Sequence, residues 1–352
     1  MKGILLHGGH GTRLRPLTHT GPKQLLPIAN KPMSQYCIES MKEAGITDIA
    51  IIIGGIGSNK VSEFYGNGEK LGVKITYVKQ DSPKGISHAI GLCRDFIGNE
   101  KFLVFLGDNI IQKSIQDFAN DFINSDYDAK ILLCEVENPS RFGIADMKDG
   151  KINQIIEKPK NPPTNFAVTG IYFLTPKIFE IIENLKPSWR NELEITDALQ
   201  NLLSKYNNIS YDIITDYWKD TGTPEDILNA NKAILEKNAS LFEGEKDEHV
   251  KLLGKVLVGK NTKILGNSVI QGPVIVGNNC IIKNARIGPN SSIDDNTEIV
   301  ESDIENSIIM SNCYINNRIK IRKSIISSNS KIQNNLKDEK IFLLGEGTQI
   351  FI

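Results

Sequence analysis

Near the amino terminus the run Gly8-Gly9-His10-Gly11-Thr12-Arg13-Leu14-Arg15-Pro16 concentrates glycine beside positive charge. Glycines let the backbone approach a ligand closely and turn amide N–H groups toward phosphate oxygens, and Arg13 adds a cation. Lys23 follows shortly downstream. The run is not a Walker loop, because no Gly-Lys-Ser/Thr follows, and Leu14 stands where a dinucleotide fingerprint needs its third glycine. A plain strand-to-helix turn would explain glycine alone; Thr12, Arg13 and Lys23 beside it point to a phosphate site. Two carboxylates complete the candidate chemistry. Asp108 follows an apolar run at 102–106, so its side chain is expected at the carboxyl edge of a strand, where open α/β sheets bind ligands. Asp220 lies in the glycine-containing stretch Trp218-Lys219-Asp220-Thr221-Gly222-Thr223. Such a pair can share one Mg²⁺, which keeps several waters and bridges phosphates. Either aspartate alone could equally be a helix cap or a turn residue.

Positioning these groups requires a sheet. Short apolar runs at 2–6, 48–53, 73–78, 101–106 and 129–136 alternate with amphipathic stretches at 33–44, 58–65, 86–96 and 114–123. That alternation predicts a Rossmann-like α/β domain, a mostly parallel mixed sheet covered by helices on both faces. A turn at 146–150 predicts a hairpin whose second arm is 151–156. A further strand at 166–173 and helices at 177–184, 195–205 and 224–236 complete this half, taken as residues 1–240. The charged, patternless stretch 236–247 is the expected linker.

Beyond it the period changes. Ile264, Ile270, Ile275, Ile281, Ile287, Ile293, Ile299, Ile304, Ile309, Ile315, Ile321, Ile326 and Ile332 recur every five or six residues, separated by Asn, Ser and Gly. One branched aliphatic per flat face of a triangular coil predicts a parallel β-helix over 241–352, since sandwich strands would alternate every second residue. A left-handed coil is the usual association of hexapeptide repeats. The apolar stretch 341–352 is expected to cap the coils or pack on a second subunit.

Composition narrows the class. A chain of 352 residues allows about two domains. Its 41 Lys plus Arg against 42 Asp plus Glu argue against nucleic-acid or membrane-surface binding, leaving room for a local basic pocket. The scattered Cys37, Cys93, Cys134, Cys280 and Cys313 suit reduced thiols, and the apolar start is too short for a leader or span; a cytoplasmic location is expected.

The motifs in order resemble the signature of the sugar-1-phosphate nucleotidylyltransferases. They are Leu6-His7-Gly8-Gly9-His10-Gly11-Thr12-Arg13-Leu14, then Pro22-Lys23-Gln24-Leu25-Leu26-Pro27-Ile28 and Asn30-Lys31-Pro32-Met33. Gln80-Asp81-Ser82-Pro83-Lys84-Gly85, Gly107-Asp108-Asn109, Glu157-Lys158-Pro159 and Val168-Thr169-Gly170-Ile171-Tyr172 follow. Arg190-Asn191-Glu192-Leu193-Glu194-Ile195-Thr196-Asp197 and the Trp218–Thr223 stretch close the series. Each motif is weak by itself; their order and spacing are specific. The strongest likeness is to the branch that uses dTTP and glucose 1-phosphate and carries a C-terminal β-helix.

The resemblance implies a reaction and a set of roles. Glucose 1-phosphate would attack the α-phosphate of dTTP in line, giving dTDP-glucose for deoxysugar (rhamnose-type) synthesis and pyrophosphate; UTP in place of dTTP is the alternative. Joining two anions is limited by charge repulsion. Arg13 would hold the triphosphate tail, Lys23 the reacting phosphates, Lys158 and Arg190 the sugar phosphate, and Asp108 with Asp220 the Mg²⁺. A phosphate nucleophile is already ionised, which agrees with the lack of an obvious catalytic base. Gln80 offers an amide for a pyrimidine edge, with Leu6, Gly8, Gly9, Gly11, Thr12 and Gly85 around the nucleotide and Gln24 toward the deoxyribose. Asn109, Gly143, Glu157, Val168, Thr169 and Trp218 match positions around the hexose, where Trp218 offers a flat apolar wall.

Some positions depart from the family pattern. Phe142 stands where tyrosine often precedes Gly143, Asn191 replaces a glycine after Arg190, and His7 replaces a small residue. His7, His10, His19 and His88 are read as structural or backbone-facing. His249 is the one histidine after residue 100 and precedes the coils, so acetyl transfer by the β-helix finds no base there. A non-catalytic scaffold would be expected to have lost phosphate cations or a carboxylate; the chain retains them. A homo-oligomer assembled through the coils is expected.

Overall fold

The computed structural model describes residues 1–9 and 11–333, which places His10 and the expected cap at 341–352 outside the described residues. The described chain forms two compact units: residues 1–9, 20–25 and 33–220, and residues 11–19, 26–32 and 221–333.

The first unit is built on a nine-stranded mixed sheet. Lys2–Leu6 lies at its centre, parallel to Asp48–Ile53 on one side and to Phe102–Leu106 on the other, with Lys74–Lys79 beyond Asp48–Ile53. These strands read as nearly unbroken apolar runs because both faces are covered: Ile4, Leu5, Phe102, Leu103, Val104 and Ile49 through Ile52 are fully buried. Phe166–Leu174 then pairs antiparallel with Phe102–Leu106, Ala129–Glu135 and Gly143–Lys148, so this strand runs against neighbours that keep the direction of the central strands. The expected hairpin joins Gly143–Lys148 to Lys151–Glu157.

Two local expectations are corrected, and three strands of the first unit lie outside the expected set. The segment 86–96 is two helices, Ile86–Gly91 and Arg94–Ile97, broken where Gly91 approaches Ile182 and Cys93 leaves helical geometry. Strands Ile209–Ile214, Asn109–Ile111 and Trp218–Asp220 carry no clear sequence period; the latter two are three-residue strands paired across long range. The stretch 236–247 is not a free linker: Leu241–Phe242 and Glu245–Lys246 already pair with Val256–Val258 and Lys263–Leu265.

In the second unit, three sheets of short parallel strands stack as a β-helix. The aliphatic repeat becomes ladders. Ile264 neighbours Ile282, then Ile299, Ile315 and Ile332. Ile270, Ile287, Ile304 and Ile321 make a second ladder, and Val258, Val276, Ile293, Ile309 and Ile326 the third. Here the expected register shifts in one coil, because Val276 and Ile282 are the buried residues while Ile281 is exposed. Neighbouring aliphatics made that coil ambiguous in sequence, and adjacent strand residues must face opposite ways. Asparagines occupy the corners at positive φ, among them Asn261, Asn279 and Asn296, and the Asn261 amide donates to Asn279 as the Asn279 amide donates to Asn296. Within the same unit Asn231, on Pro224–Leu235, accepts from the Ala29 N–H and donates to the Asn290 carbonyl.

No helix among the described residues is long and apolar enough to cross a membrane, and the five cysteines are free.

Candidate active site

A cavity of about 220 Å³ opens at the carboxyl edge of the central strands. Leu6, Gly8, Gly9, Gln24, Gln80, Gly85 and Asp108 line it, together with apolar Ile52, Pro83, Ile86, Ala89 and Leu106 and the carboxylate of Glu192. Strand order explains the convergence: Gly8 follows Lys2–Leu6, Gln80 follows Lys74–Lys79 and Asp108 follows Phe102–Leu106. Parallel strands discharge their loops on the same edge.

The polar groups in its wall are held in place. Lys23, on the short helix Lys23–Leu25, forms a close ion pair with Asp108. Burial alone would raise the Asp108 carboxyl, but the Lys23 ammonium and the Asn109 amide hold it below the usual aspartate value. The Gln24 amide N–H donates to the Gly8 carbonyl at 2.8 Å, while its buried Oε1 has no protein partner. A buried acceptor left open at a cavity wall suits a donor on a ligand. Gln80 Nε2 donates to the Gly85 carbonyl and to His88 Nδ1.

Gly85 ties this edge to the loop before the helix Ile195–Tyr206. Its φ of +100° lies outside the range of ordinary side chains, and a Cβ there would fall 2.5–2.9 Å from the Leu193 backbone. Leu193 donates to the Lys84 carbonyl and accepts from the Ser87 N–H. A side chain at Gly85 would therefore push the two segments apart.

Asp220 stands directly opposite Asn109 in the antiparallel pair, so its backbone lies one residue from that of Asp108. The buried Tyr172 hydroxyl is pushed up first by burial and then by Glu157, Asp108 and Asp220, which puts the three carboxylates in one neighbourhood. Asp108 and Asp220 are hard oxygen donors of the kind a divalent ion takes; among the described residues there is no cluster of three or more His, Cys, Asp or Glu.

Beside Asp108 the Asn109 side chain is engaged at both ends of its amide. It donates to Asp108 at 3.1 Å and accepts from the Trp218 indole at 2.8 Å and the Gly170 N–H at 3.3 Å. Trp218 meets Phe142 edge-on at 5.8 Å. Thr169 spends its hydroxyl on the Leu132 carbonyl, and Val168 precedes it on the same buried strand. Glu157 faces Lys158 at 3.1 Å and Arg190 at 3.5 Å, and accepts from Thr196. Arg190 also contacts Glu192 and Glu194, so its guanidinium is surrounded by carboxylates. Gly143 is required as glycine, since a Cβ would lie 2.4 Å from Thr196 Cγ2.

Gly11, Thr12 and Arg13 belong to the second unit, at the start of a short helix. Arg13 is exposed, and its guanidinium lies 2.9 Å from where a Gly222 Cβ would sit.

Sequence analysis gives no site role to Tyr172, Thr196, Glu194 or His88; Thr196 meets Glu157 from a distant segment, while Glu194 meets Arg190 and His88 meets Gln80 from close by in sequence. It also leaves His7 unassigned beyond a structural role. That ring is buried against Tyr65 with neither nitrogen hydrogen-bonded, and burial lowers its pKa to about 3, opposed by Asp108.

Residues 2–237 match the nucleotidyl transferase family, and residues 281–351 match the GMPPB C-terminal domain. The chain is 42% identical to the low-salt glycan biosynthesis nucleotidyltransferase Agl11 of Haloferax volcanii, over 91% of this chain and 90% of that protein. It is also 42% identical to a glucose-1-phosphate thymidylyltransferase of Streptomyces antibioticus, over 88% of this chain and 87% of the relative. A Bacillus anthracis crystal structure, described as a candidate glucose-1-phosphate thymidylyltransferase in complex with a sucrose, is similar at a TM-score of 0.64 and 43% identity, covering 68% of this chain and 98% of its own.

Proposed function

The chain belongs to the nucleotidyl transferase family, and we propose that it makes dTDP-glucose and pyrophosphate from dTTP and α-D-glucose 1-phosphate. A phosphate oxygen of the sugar forms a bond to the α-phosphorus as the bond to the departing pyrophosphate breaks. The observation that carries the reading is that one cavity has both Gln80 and Asp108 in its wall, an amide for a base and a carboxylate for the phosphate region.

Gln80 faces the pyrimidine edge, and Leu6, Gly8, Gly9 and Gly85 let the base lie close to the backbone. Gln24 Oε1 accepts from a deoxyribose hydroxyl. Lys23 neutralises the reacting phosphates, and Arg13, with Gly11 and Thr12, receives the triphosphate tail. Asp108 and Asp220 are the residues to hold Mg²⁺, which when bound supplies charge neutralisation at the phosphates. Lys158 and Arg190 grip the sugar phosphate, Arg190 turning away from Glu192 and Glu194 to do so. Glu157 accepts from hexose hydroxyls, while Trp218, Gly143, Val168 and Thr169 wall the ring. Asn109, its side chain already engaged, positions Asp108 and Trp218. Residues 1–240 carry this chemistry, and the coils of 241–352 serve packing or assembly into a homo-oligomer. Free thiols throughout support a cytoplasmic location.

A matrix of dTTP, UTP, dCTP and dATP against sugar 1-phosphates, with and without Mg²⁺, tests the reading. Pyrophosphate release greatest with dTTP and glucose 1-phosphate is expected. Faster turnover of UTP at equal concentration would reassign the nucleotide, and no release from any pair would remove the activity.

A further inference from the structure

We infer that His88 is a positioning residue that sets pyrimidine choice, by holding the Gln80 amide with its oxygen turned to the cavity. The inference rests on the proposed use of that cavity for the nucleobase.

The orientation follows from what each neighbour can do. The Gly85 carbonyl lies 3.3 Å from one end of the Gln80 amide, and a carbonyl can only accept, so that end is Nε2. The same nitrogen lies 3.0 Å from His88 Nδ1. Both its N–H groups are thus committed, and Nδ1 must be the unprotonated ring nitrogen. Burial, and the Lys84 ammonium after it, lower the His88 pKa, which favours the neutral ring this contact needs. Oε1 is left as the group aimed past Gly8, 3.6 Å from where a Cβ on that glycine would stand.

An acceptor fixed at that place selects by chemistry. Thymine and uracil carry an N3–H that can donate to it. Cytosine presents a lone pair at N3, and two acceptors would face each other without a proton between them. A freely rotating amide would not discriminate, because turning it over presents an N–H₂ donor to cytosine instead. Gly85 alone, at 3.3 Å, is a weak restraint. His88 supplies the second contact that keeps the amide from turning. Sequence analysis reads His88 as structural or backbone-facing; its ring meets a side chain of the candidate site.

The test compares kcat and KM for dTTP and dCTP in wild type, His88→Leu, His88→Asn and Gln80→Leu, each checked by thermal melting. His88→Leu should lower the dTTP-over-dCTP ratio of kcat/KM by about tenfold or more, through a higher KM for dTTP and a lower one for dCTP. KM for glucose 1-phosphate should stay unchanged. His88→Asn places an acceptor near the Nδ1 position and should restore most of the ratio, which a general packing defect would not allow. An unchanged ratio in His88→Leu overturns the inference, as does His88→Asn with both substrates' KM raised alike. If His88→Leu does not fold, the ratio in His88→Asn decides: near wild type supports the inference, and a tenfold loss overturns it. Gln80→Leu separates the two levels. If it raises KM for dTTP while His88→Leu changes nothing, only the role of His88 fails; if it leaves KM for dTTP unchanged, the base site itself fails and this inference with it.

Discussion

The coils and the cavity edge solve opposite problems with the same kinds of residue. In the coils, polar groups repeat and satisfy one another: buried Thr262 donates to the Gly277 carbonyl, buried Thr297 to that of Met310, and exposed asparagine corners bond to the asparagine one coil on. At the cavity each polar contact occurs once, and several groups are left open or opposed. Gln24 Oε1 and both nitrogens of His7 lack partners, and Arg190 is crowded by carboxylates. Repetition gives stability that no single residue controls, whereas a site of single copies concentrates function in a few replaceable side chains.

Four changes test that contrast. Lys23→Met should have the largest effect, because it removes a phosphate cation and leaves Asp108 buried without its partner. Turnover should fall by about 10²–10³-fold, and stability by about 3–5 kcal/mol, read from pyrophosphate release and denaturant midpoints. Next, Ile299→Ala opens a void in a fully buried ladder and should cost about 2–5 kcal/mol of stability. Its kcat/KM below the melting range should match wild type; a fall in kcat/KM would break the separation between the two regions. Gly143→Ala drives a methyl against Thr196 and should cost about 1–3 kcal/mol, with KM for the sugar phosphate rising more than KM for the nucleotide.

The fourth effect is a slope against pH and vanishes near neutrality. His7 has its folded pKa depressed to about 3 by burial, so the unfolded chain binds a proton that the folded chain refuses. Its contribution is fully present above pH ~6.5 and is lost as pH falls toward about 3, at up to about 1.4 kcal/mol per pH unit. Stability measured across that window in wild type and His7→Phe should differ in slope, with the variant flatter. Equal slopes would mean the ring is accessible to protons in the folded chain.

The two regions also differed in how far they could be read from sequence. The ladders were legible because one aliphatic per face is a periodic signal, and the reading slipped only where Ile275-Val276 and Ile281-Ile282 offer two candidates for one inward position. Asp108 was legible because an apolar strand leads into it. Asp220 was not placed by any local pattern: its three-residue strand is defined by pairing with Asn109–Ile111, more than a hundred residues earlier. The contact of Arg190 with Glu157 is distant in sequence in the same way, whereas those of Arg190 with Glu192 and Glu194 and of His88 with Gln80 are local but rest on loop geometry that no repeat specifies. Single contacts of either kind leave no period.

Pyrophosphate release from dTTP and glucose 1-phosphate by wild type, Asp108→Asn and Asp220→Asn, across a Mg²⁺ titration, addresses the central claim most directly. Wild type should release pyrophosphate only when both substrates and Mg²⁺ are present, and each variant should be slower by about 10²-fold or more, with unchanged secondary structure. Variants that match wild type at every Mg²⁺ concentration would contradict the account.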